Sequence, residues 1–328
     1  MRFLIAGFGS IGRRHFRNLR ALGERDLLFY RTGLSQLSNE ELVGVPVETD
    51  LEAALSHKPD AVIVANPNAL HLDVAIPAAQ AGCHLLLEKP LSHNLERVGE
   101  LEATVKTNGS RVLMGFQYRF HPGLQKASEL IAQGELGRPL SARAHWGEYL
   151  PGWHPWEDYR QGYSARGELG GGVVLTLCHP FDYLVWLLGK VDAAWASTVS
   201  SGELDIAVED QAEVGLEFNS EALGSVHLDY LQQHASHWLE VVCTKGSLRL
   251  DFNSGLLKIS RASIGGEQEF LPPAGFERND LFLAQMRHFR EVVSGKAAPL
   301  CTLADGRSAL ELALAVYSSA AEGRRIKL

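Results

Sequence analysis

Two rhythms of apolar positions divide the chain. Up to Phe120, short and nearly continuous apolar runs alternate with longer segments of helical period. Strands are predicted at Phe3–Ala6, Leu27–Arg31, Val45–Val47, Ala61–Ala65, His84–Leu87 and Val112–Gly115. Helices are predicted at Ile11–Leu22, Leu51–Ser56, His71–Ala81 and Leu95–Thr107. Unbroken apolar strands separated by helices imply a parallel sheet covered on both faces. Asp50 suits the N-cap of the second helix, and Gly82 suits the stop of the third. Beyond Phe120 come a helix at Leu124–Gln133, a loop rich in aromatic and charged residues at Trp146–Arg166, and a helix at Val174–Leu188 opened by Gly170-Gly171-Gly172. Alternating segments follow at Ala193–Ser200, Gln211–Phe218, Leu223–Tyr230, Trp238–Thr244, Ser247–Phe252 and Leu256–Arg261, with turn residues such as Lys245-Gly246 between them. Such a train predicts a largely antiparallel sheet. Two helices, Asp280–Ser294 and Leu303–Glu322, end the chain. The expected class is α/β: a doubly wound parallel sheet over residues 1–120, then an α+β domain over 121–328 with an open, mainly antiparallel sheet.

Composition narrows the function classes. The 328 residues suffice for two domains, and the net charge of −8 argues against nucleic acid or an anionic membrane as partner. No apolar run reaches the length of a membrane span. Met1 and Arg2 lead straight into a strand, without the look of a signal peptide. Cys83, Cys178, Cys243 and Cys301 lie far apart, form no C-x-x-C pair, and are expected as reduced thiols in a cytoplasmic protein. No spacing points to a metal.

The first strand runs directly into Gly7-Phe8-Gly9-Ser10-Ile11-Gly12, and a helix follows at once. This strand, G-x-G-x-x-G turn and helix is the order a dinucleotide needs. Gly7 permits the turn, Gly9 admits the pyrophosphate, Gly12 lets helix and strand close, and the helix start at Ser10 and Ile11 offers free N–H groups. The acid that would bind the ribose diol of NAD is expected at the end of the second strand. Arg31-Thr32 stands there instead, and a guanidinium with a hydroxyl suits a 2′-phosphate, so NADP is favoured over NAD.

Two further strand ends lie on the edge where such sheets bind ligands. One carries Asn66-Pro67-Asn68, with His71 opening the next helix. The other carries Glu88-Lys89-Pro90, where the proline holds Lys89 extended and the Lys89–Pro90 bond is a candidate for cis. An ammonium there can polarise a substrate oxygen. His179 and Asp182, three apart on the predicted helix, share a face, and a neutral imidazole can take the proton of an alcohol as hydride leaves its carbon.

These segments, with Tyr118-Arg119-Phe120, Leu136-Gly137-Arg138-Pro139, Glu209-Asp210 and Gly246-Ser247-Leu248-Arg249-Leu250, resemble the glucose–fructose oxidoreductase / inositol dehydrogenase / MocA family along nearly the whole chain. The resemblance implies NAD(P)-dependent oxidation or reduction of sugars, inositols or sugar nucleotides. It carries the family's E-K-P lysine to Lys89 and its helix histidine to His179. It also places Tyr118 and Thr176 among the substrate contacts. Many members have an Asp where Thr176 stands. A hydroxyl cannot be the charge partner of an imidazolium, so either Asp182 takes over the orienting role or the proton relay is weaker and the chain is a specialised branch.

Substrate recognition is expected from the loop holding Trp153, Trp156, Tyr159 and Arg160. Aromatic faces stack on sugar rings, and Arg119 or Arg160 could bind an anionic group. The expected partners are a small carbohydrate and further copies of the chain, as a homodimer or homotetramer through the second sheet. A redox-neutral glycosidase with tightly held NAD, or a non-catalytic nucleotide-binding relative, would share most of these features.

Overall fold

The structure is a computed structural model that describes residues 1–33 and 40–328. The chain divides into two compact units, Met1–Gln117 with Arg278–Arg307, and Tyr118–Glu277 with Ser308–Leu328.

The first unit begins with β1 (Phe3–Ala6), α1 (Ser10–Ala21), β2 (Leu27–Tyr30), β3 (Val47–Glu48) and α2 (Leu51–Ser56). It continues through β4 (Ala61–Val64), α3 (His71–Gln80), β5 (His84–Leu87), α4 (Val98–Asn108) and β6 (Val112–Met114). These six strands form one sheet in the order β3-β2-β1-β4-β5-β6, every neighbouring pair parallel. β1 and β4 are buried at every position, as strands covered on both faces must be. Asp50 caps α2 by accepting the Ala53 N–H. On α1 the buried residues Gly12, His15, Phe16 and Leu19 recur at helical spacing, which turns the arginines between them outward.

The second unit holds α5 (Pro122–Ala132), β7 (Pro139–Gly147), α6 (Val173–Thr176), α7 (His179–Leu188), β8 (Val191–Val199), β9 (Gln211–Phe218) and β10 (Leu223–Asp229). After these come β11 (Ser236–Cys243), β12 (Gly246–Asp251), β13 (Leu257–Arg261) and β14 (Ile264–Phe270). The chain then forms α8 (Arg278–Val293), α9 (Leu303–Glu322) and β15 (Ile326–Lys327). The nine strands of the second unit pair in the order β14-β13-β12-β11-β7-β10-β9-β8-β15, antiparallel except for β10 against β7. No single helix among the described residues is long and apolar enough to cross a membrane.

Three features differ from the pattern-based expectation. First, α8 groups with the first unit rather than with residues 121–328. Its side chains explain this: Asn279 and Asn18 exchange amide hydrogen bonds at 3.0 and 3.4 Å, and Phe289 packs on Phe3 with ring centroids 6.3 Å apart. Second, the helix expected over Val174–Leu188 is two pieces, the segment Gly167–Thr176 meeting α7 at 48°. Pro180 is the cause. It has no N–H to donate back to Thr176, and its ring would press on that carbonyl, so the chain must restart one turn later. Third, β7 lies in the middle of the second sheet where no strand was expected. Its buried positions are Ala142, Ala144 and Trp146, and two alanines make a faint apolar stripe.

Candidate functional site

In the first unit the glycine turn has the shape a dinucleotide requires. Gly7 has φ +103°, and a Cβ there would lie 2.6 Å from the Ala65 carbonyl oxygen. A Cβ on Gly12 would collide with the Gly7 carbonyl oxygen, whereas one on Gly9 would meet nothing within 4 Å. The chain is therefore tight below the turn and open above Gly9, where a pyrophosphate could approach backbone N–H groups at the start of α1.

At the end of β2, Arg31 is 8% exposed. Its guanidinium lies 5.5 Å from the Phe8 ring centroid, and that of Arg13 lies 4.0 Å from the same ring. Burial, and then the charge of Arg13, hold Arg31 below the ordinary arginine range. Arg13 also pairs with Glu41 at 2.9 Å, so its charge is already compensated, and Arg31 is the cation that would favour an anion beside Phe8. Thr32 follows Arg31 in the turn after the strand.

At the next two strand ends the side chains largely brace one another. Asn66 donates its side-chain amide to the Leu70 carbonyl at 2.9 Å, and its Oδ1 is buried without a hydrogen-bond partner. His71, 1% exposed, stands between two backbone oxygens, with Nδ1 2.9 Å from Pro90 O and Nε2 3.0 Å from Asn66 O. Burial pushes its pKa down, against the opposing charge of Glu88. His71 thus links Asn66-Pro67-Asn68 to Glu88-Lys89-Pro90 rather than opening onto a ligand surface. The Lys89–Pro90 bond is cis, Lys89 is half-buried, and Glu88 is buried.

In the second unit an aromatic nest surrounds His179, the first residue of α7. Tyr118 meets His179 edge-on at 4.8 Å between centroids, and Trp146 lies 5.4 Å from the same imidazole. Trp146 also stacks on His237 at 4.3 Å and 4°, and His237 stacks on Phe252 at 4.0 Å. The sheet register makes this possible, because β7 places Trp146 opposite His237 of β11. Trp146, expected in a loop, is therefore a buried strand residue.

His237 was not among the residues the sequence analysis singled out. Its signal was present: extending the buried alternation of Leu239, Val241 and Cys243 back by two residues arrives at it. Its Nε2 lies 3.4 Å from the Tyr183 hydroxyl, whose pKa burial drives far up.

The expectation for Arg119 requires a correction. Arg119 was expected to bind an anionic substrate group and Asp182 to orient His179. Both are 2% exposed, and they form a forked ion pair. Arg119 Nη2 donates to Oδ1 at 2.7 Å, and Nε lies 3.1 Å from both carboxylate oxygens. The guanidinium also lies 5.3 Å from the Trp186 ring centroid. A buried carboxylate on a helix needs a cation, and this one comes from the segment before α5. The pair fixes α7, and with it His179 one turn earlier.

Thr176 is buried, with Tyr230 beside it. The Tyr230 hydroxyl donates to Gly172 O at 2.9 Å, and Glu209 accepts the Val174 N–H at 3.1 Å and the Tyr317 hydroxyl at 2.7 Å. Burial holds the Glu209 carboxyl above its usual range. Glu209 thus places a buried carboxyl group at the start of α6.

In the loop, Trp153 meets Tyr230 edge-on at 5.6 Å, and its indole N–H is buried without a hydrogen-bond partner. Trp156 is 69% exposed. Tyr159 donates its hydroxyl to Leu204 O at 2.8 Å. Arg160 pairs with Asp158 and Asp205 at the surface. Among the described residues of this loop, Trp153 and His154 each keep a buried ring nitrogen without a hydrogen-bond partner.

A separate cluster joins His145, His227 and Asp229 on the second sheet, with ligand atoms within 4.8 Å of one another. The two imidazoles stack 8° from parallel. His227 lies 3.0 Å from Asp229 and also pairs with Glu213. The Asp229 hydrogen bond is the largest cause of a pKa raised to about 9, so the group is an imidazolium between carboxylates.

Comparison with known proteins fits this geometry. Residues 1–116 match the oxidoreductase family with an NAD-binding Rossmann fold, and residues 124–249 match the GFO/IDH/MocA C-terminal domain. A 1,5-anhydro-D-fructose reductase of Ensifer adhaerens is 31% identical over 303 residues, 90% of this chain and 84% of the relative. A scyllo-inositol 2-dehydrogenase (NAD(+)) of Bacillus subtilis is 27% identical over 82% of this chain and 78% of its own. A levoglucosan dehydrogenase solved with NADH and levoglucosan has the same fold, with TM-score 0.89 at 20% identity over 100% of this chain and 99% of that one. With its NAD(P)-binding first unit, its mainly antiparallel second sheet and both family matches, the chain belongs to the GFO/IDH/MocA family and is an NAD(P)-dependent oxidoreductase of carbohydrates.

Proposed function

We propose that the protein moves a hydride between NADP and a CH–OH or keto carbon of a cyclic sugar or sugar derivative. The observation that carries the cofactor choice is Arg31 at the end of β2, with a second guanidinium, Arg13, on the same phenyl ring. A bound nicotinamide supplies the hydride acceptor or donor. The chain's own residues handle the oxygen. The Lys89 ammonium polarises it, and His179 takes its proton in oxidation and returns it in reduction. Asp182, held by Arg119, keeps α7 and its histidine in place. The Trp153 indole N–H is available to a substrate hydroxyl, and Trp156 offers an exposed face for a sugar ring. The relation to the Ensifer adhaerens reductase favours an anhydro sugar or another ring without a free anomeric hydroxyl. Exposed Trp195, Val199, Leu223 and Val242 on the second sheet favour pairing with a second copy of the chain.

The test is turnover of 1,5-anhydro-D-fructose, levoglucosan, myo-inositol and D-xylose with each cofactor, alongside fluorescence titration of NADPH and NADH. NADPH should bind at least ~10-fold tighter than NADH, and Arg31→Ala should bring the two within about 3-fold, as loss of a charge-assisted contact implies. A preference for NADH, or a ratio untouched by Arg31→Ala, contradicts the NADP assignment. Glycoside hydrolysis without net change at the nicotinamide band, or no turnover of any member of the panel, contradicts the hydride-transfer reading.

A further inference from the structure

Glu88 follows the last residue of β5, and its carboxyl group is gripped from several sides within the first unit. His15 Nε2 stands 2.7 Å from Glu88 Oε1, and the two residues are 0% and 5% exposed. A contact of that length is a hydrogen bond between imidazole and carboxyl. The other oxygen, Oε2, accepts the backbone N–H of Lys89 at 3.3 Å. The strand end beneath is pinned as well. The Glu88 N–H donates to Val64 O at 3.1 Å, and the Gly115 N–H donates to Leu87 O at 2.7 Å. A Cβ at Gly115 would lie 2.8 Å from both Glu88 Cα and Oε2, so the glycine leaves the carboxyl the room it occupies. On the far side of Lys89, His71 holds the Pro90 carbonyl. The lysine therefore sits in a turn whose residue before it and residue after it are each bound to a buried imidazole. Of the two, His15 lies on α1, three residues after Gly12, on the helix that begins at the glycine turn.

We infer that His15 is a positioning residue for Lys89. It acts through Glu88, whose carboxyl group straps the lysine's own backbone N–H, and it ties the direction of the ammonium to the helix at the phosphate turn. This inference rests on the reading of Lys89 as the group that polarises the substrate oxygen.

The test reads the lysine itself. The full chain, saturated with NADPH, is acetylated with limiting acetic anhydride, and the rate at Lys89 is measured by mass spectrometry against exposed Lys58, Lys106 and Lys190. His15→Leu removes the ring nitrogen that contacts Glu88, and His15→Gln keeps an N–H donor of similar reach. The ratio at Lys89 should change at least ~3-fold in His15→Leu, and His15→Gln should return it toward wild type. Gly115→Ala, which presses on Glu88 from the opposite side, should also change the ratio, so the test does not depend on His15→Leu folding. A folded, NADPH-binding His15→Leu with unchanged Lys89 labelling overturns the inference, as does a His15→Gln that behaves like His15→Leu. Labelling is independent of what Lys89 does to substrate. An altered ratio alongside near-normal turnover of Lys89→Ala would uphold the positioning and remove the catalytic reading. An unaltered ratio with inactive Lys89→Ala would do the reverse.

Discussion

Lys89→Ala should lower turnover at least ~100-fold while NADPH affinity stays within about 3-fold, the separation expected when a group acts on the reacting oxygen rather than on the cofactor's phosphates. The lysine stands at the tip of a buried parallel strand, where open α/β sheets place their chemistry. Its neighbours are occupied with structure: Glu88 with His15, and the Pro90 carbonyl with His71. Lys89 itself is half-buried between these two braced neighbours. Steady-state kinetics with the best sugar of the panel, together with an NADPH titration, check the prediction. Turnover within a few-fold of wild type would remove Lys89 from the chemistry.

The largest effect on stability should come from the Arg119–Asp182 pair. Both partners are 2% exposed, so neither charge can turn to water when the other is removed. Asp182→Ala should destabilise the protein by about 3–5 kcal/mol, because an uncompensated guanidinium is left inside. The double variant Arg119→Met/Asp182→Leu should recover most of that loss, since a packed apolar pair carries no such penalty. Urea denaturation with linear extrapolation measures both. An unchanged midpoint for Asp182→Ala, or a double variant weaker than either single one, would show that the pair does not hold α7 in this way.

The legible parts of the chain are those whose signal is local. Apart from β3, the strands of the first sheet are short, apolar runs, and G-x-G-x-x-G follows the first of them directly, so the parallel sheet could be read from spacing. Arg31 was found the same way, by counting from Gly12. Where the signal was diluted, the reading failed. β7 buries two alanines between serine, arginine and histidine, so its period-two stripe hardly differs from a polar loop. The break between α6 and α7 was written in Pro180, whose effect falls on the turn before it and leaves His179 at a helix start rather than mid-helix. The Arg119–Asp182 pair, the packing of Trp146 on His237, and the bond between His15 and Glu88 each join residues at least 60 positions apart. Local periodicity carries no information about such partners. Their only trace in the chain is a charged or polar residue at a position the pattern marks as buried.

The central proposal is that Lys89 and His179 each act in the hydride-transfer step. Single-turnover stopped-flow at the nicotinamide band, on wild type, Lys89→Ala, His179→Ala and the double variant, tests it most directly. Groups that act as a unit lose their effect together, so the double variant should be no more than about 10-fold slower than the worse single one. Losses that multiply across the two substitutions, or a hydride-transfer rate untouched by His179→Ala, would contradict the account.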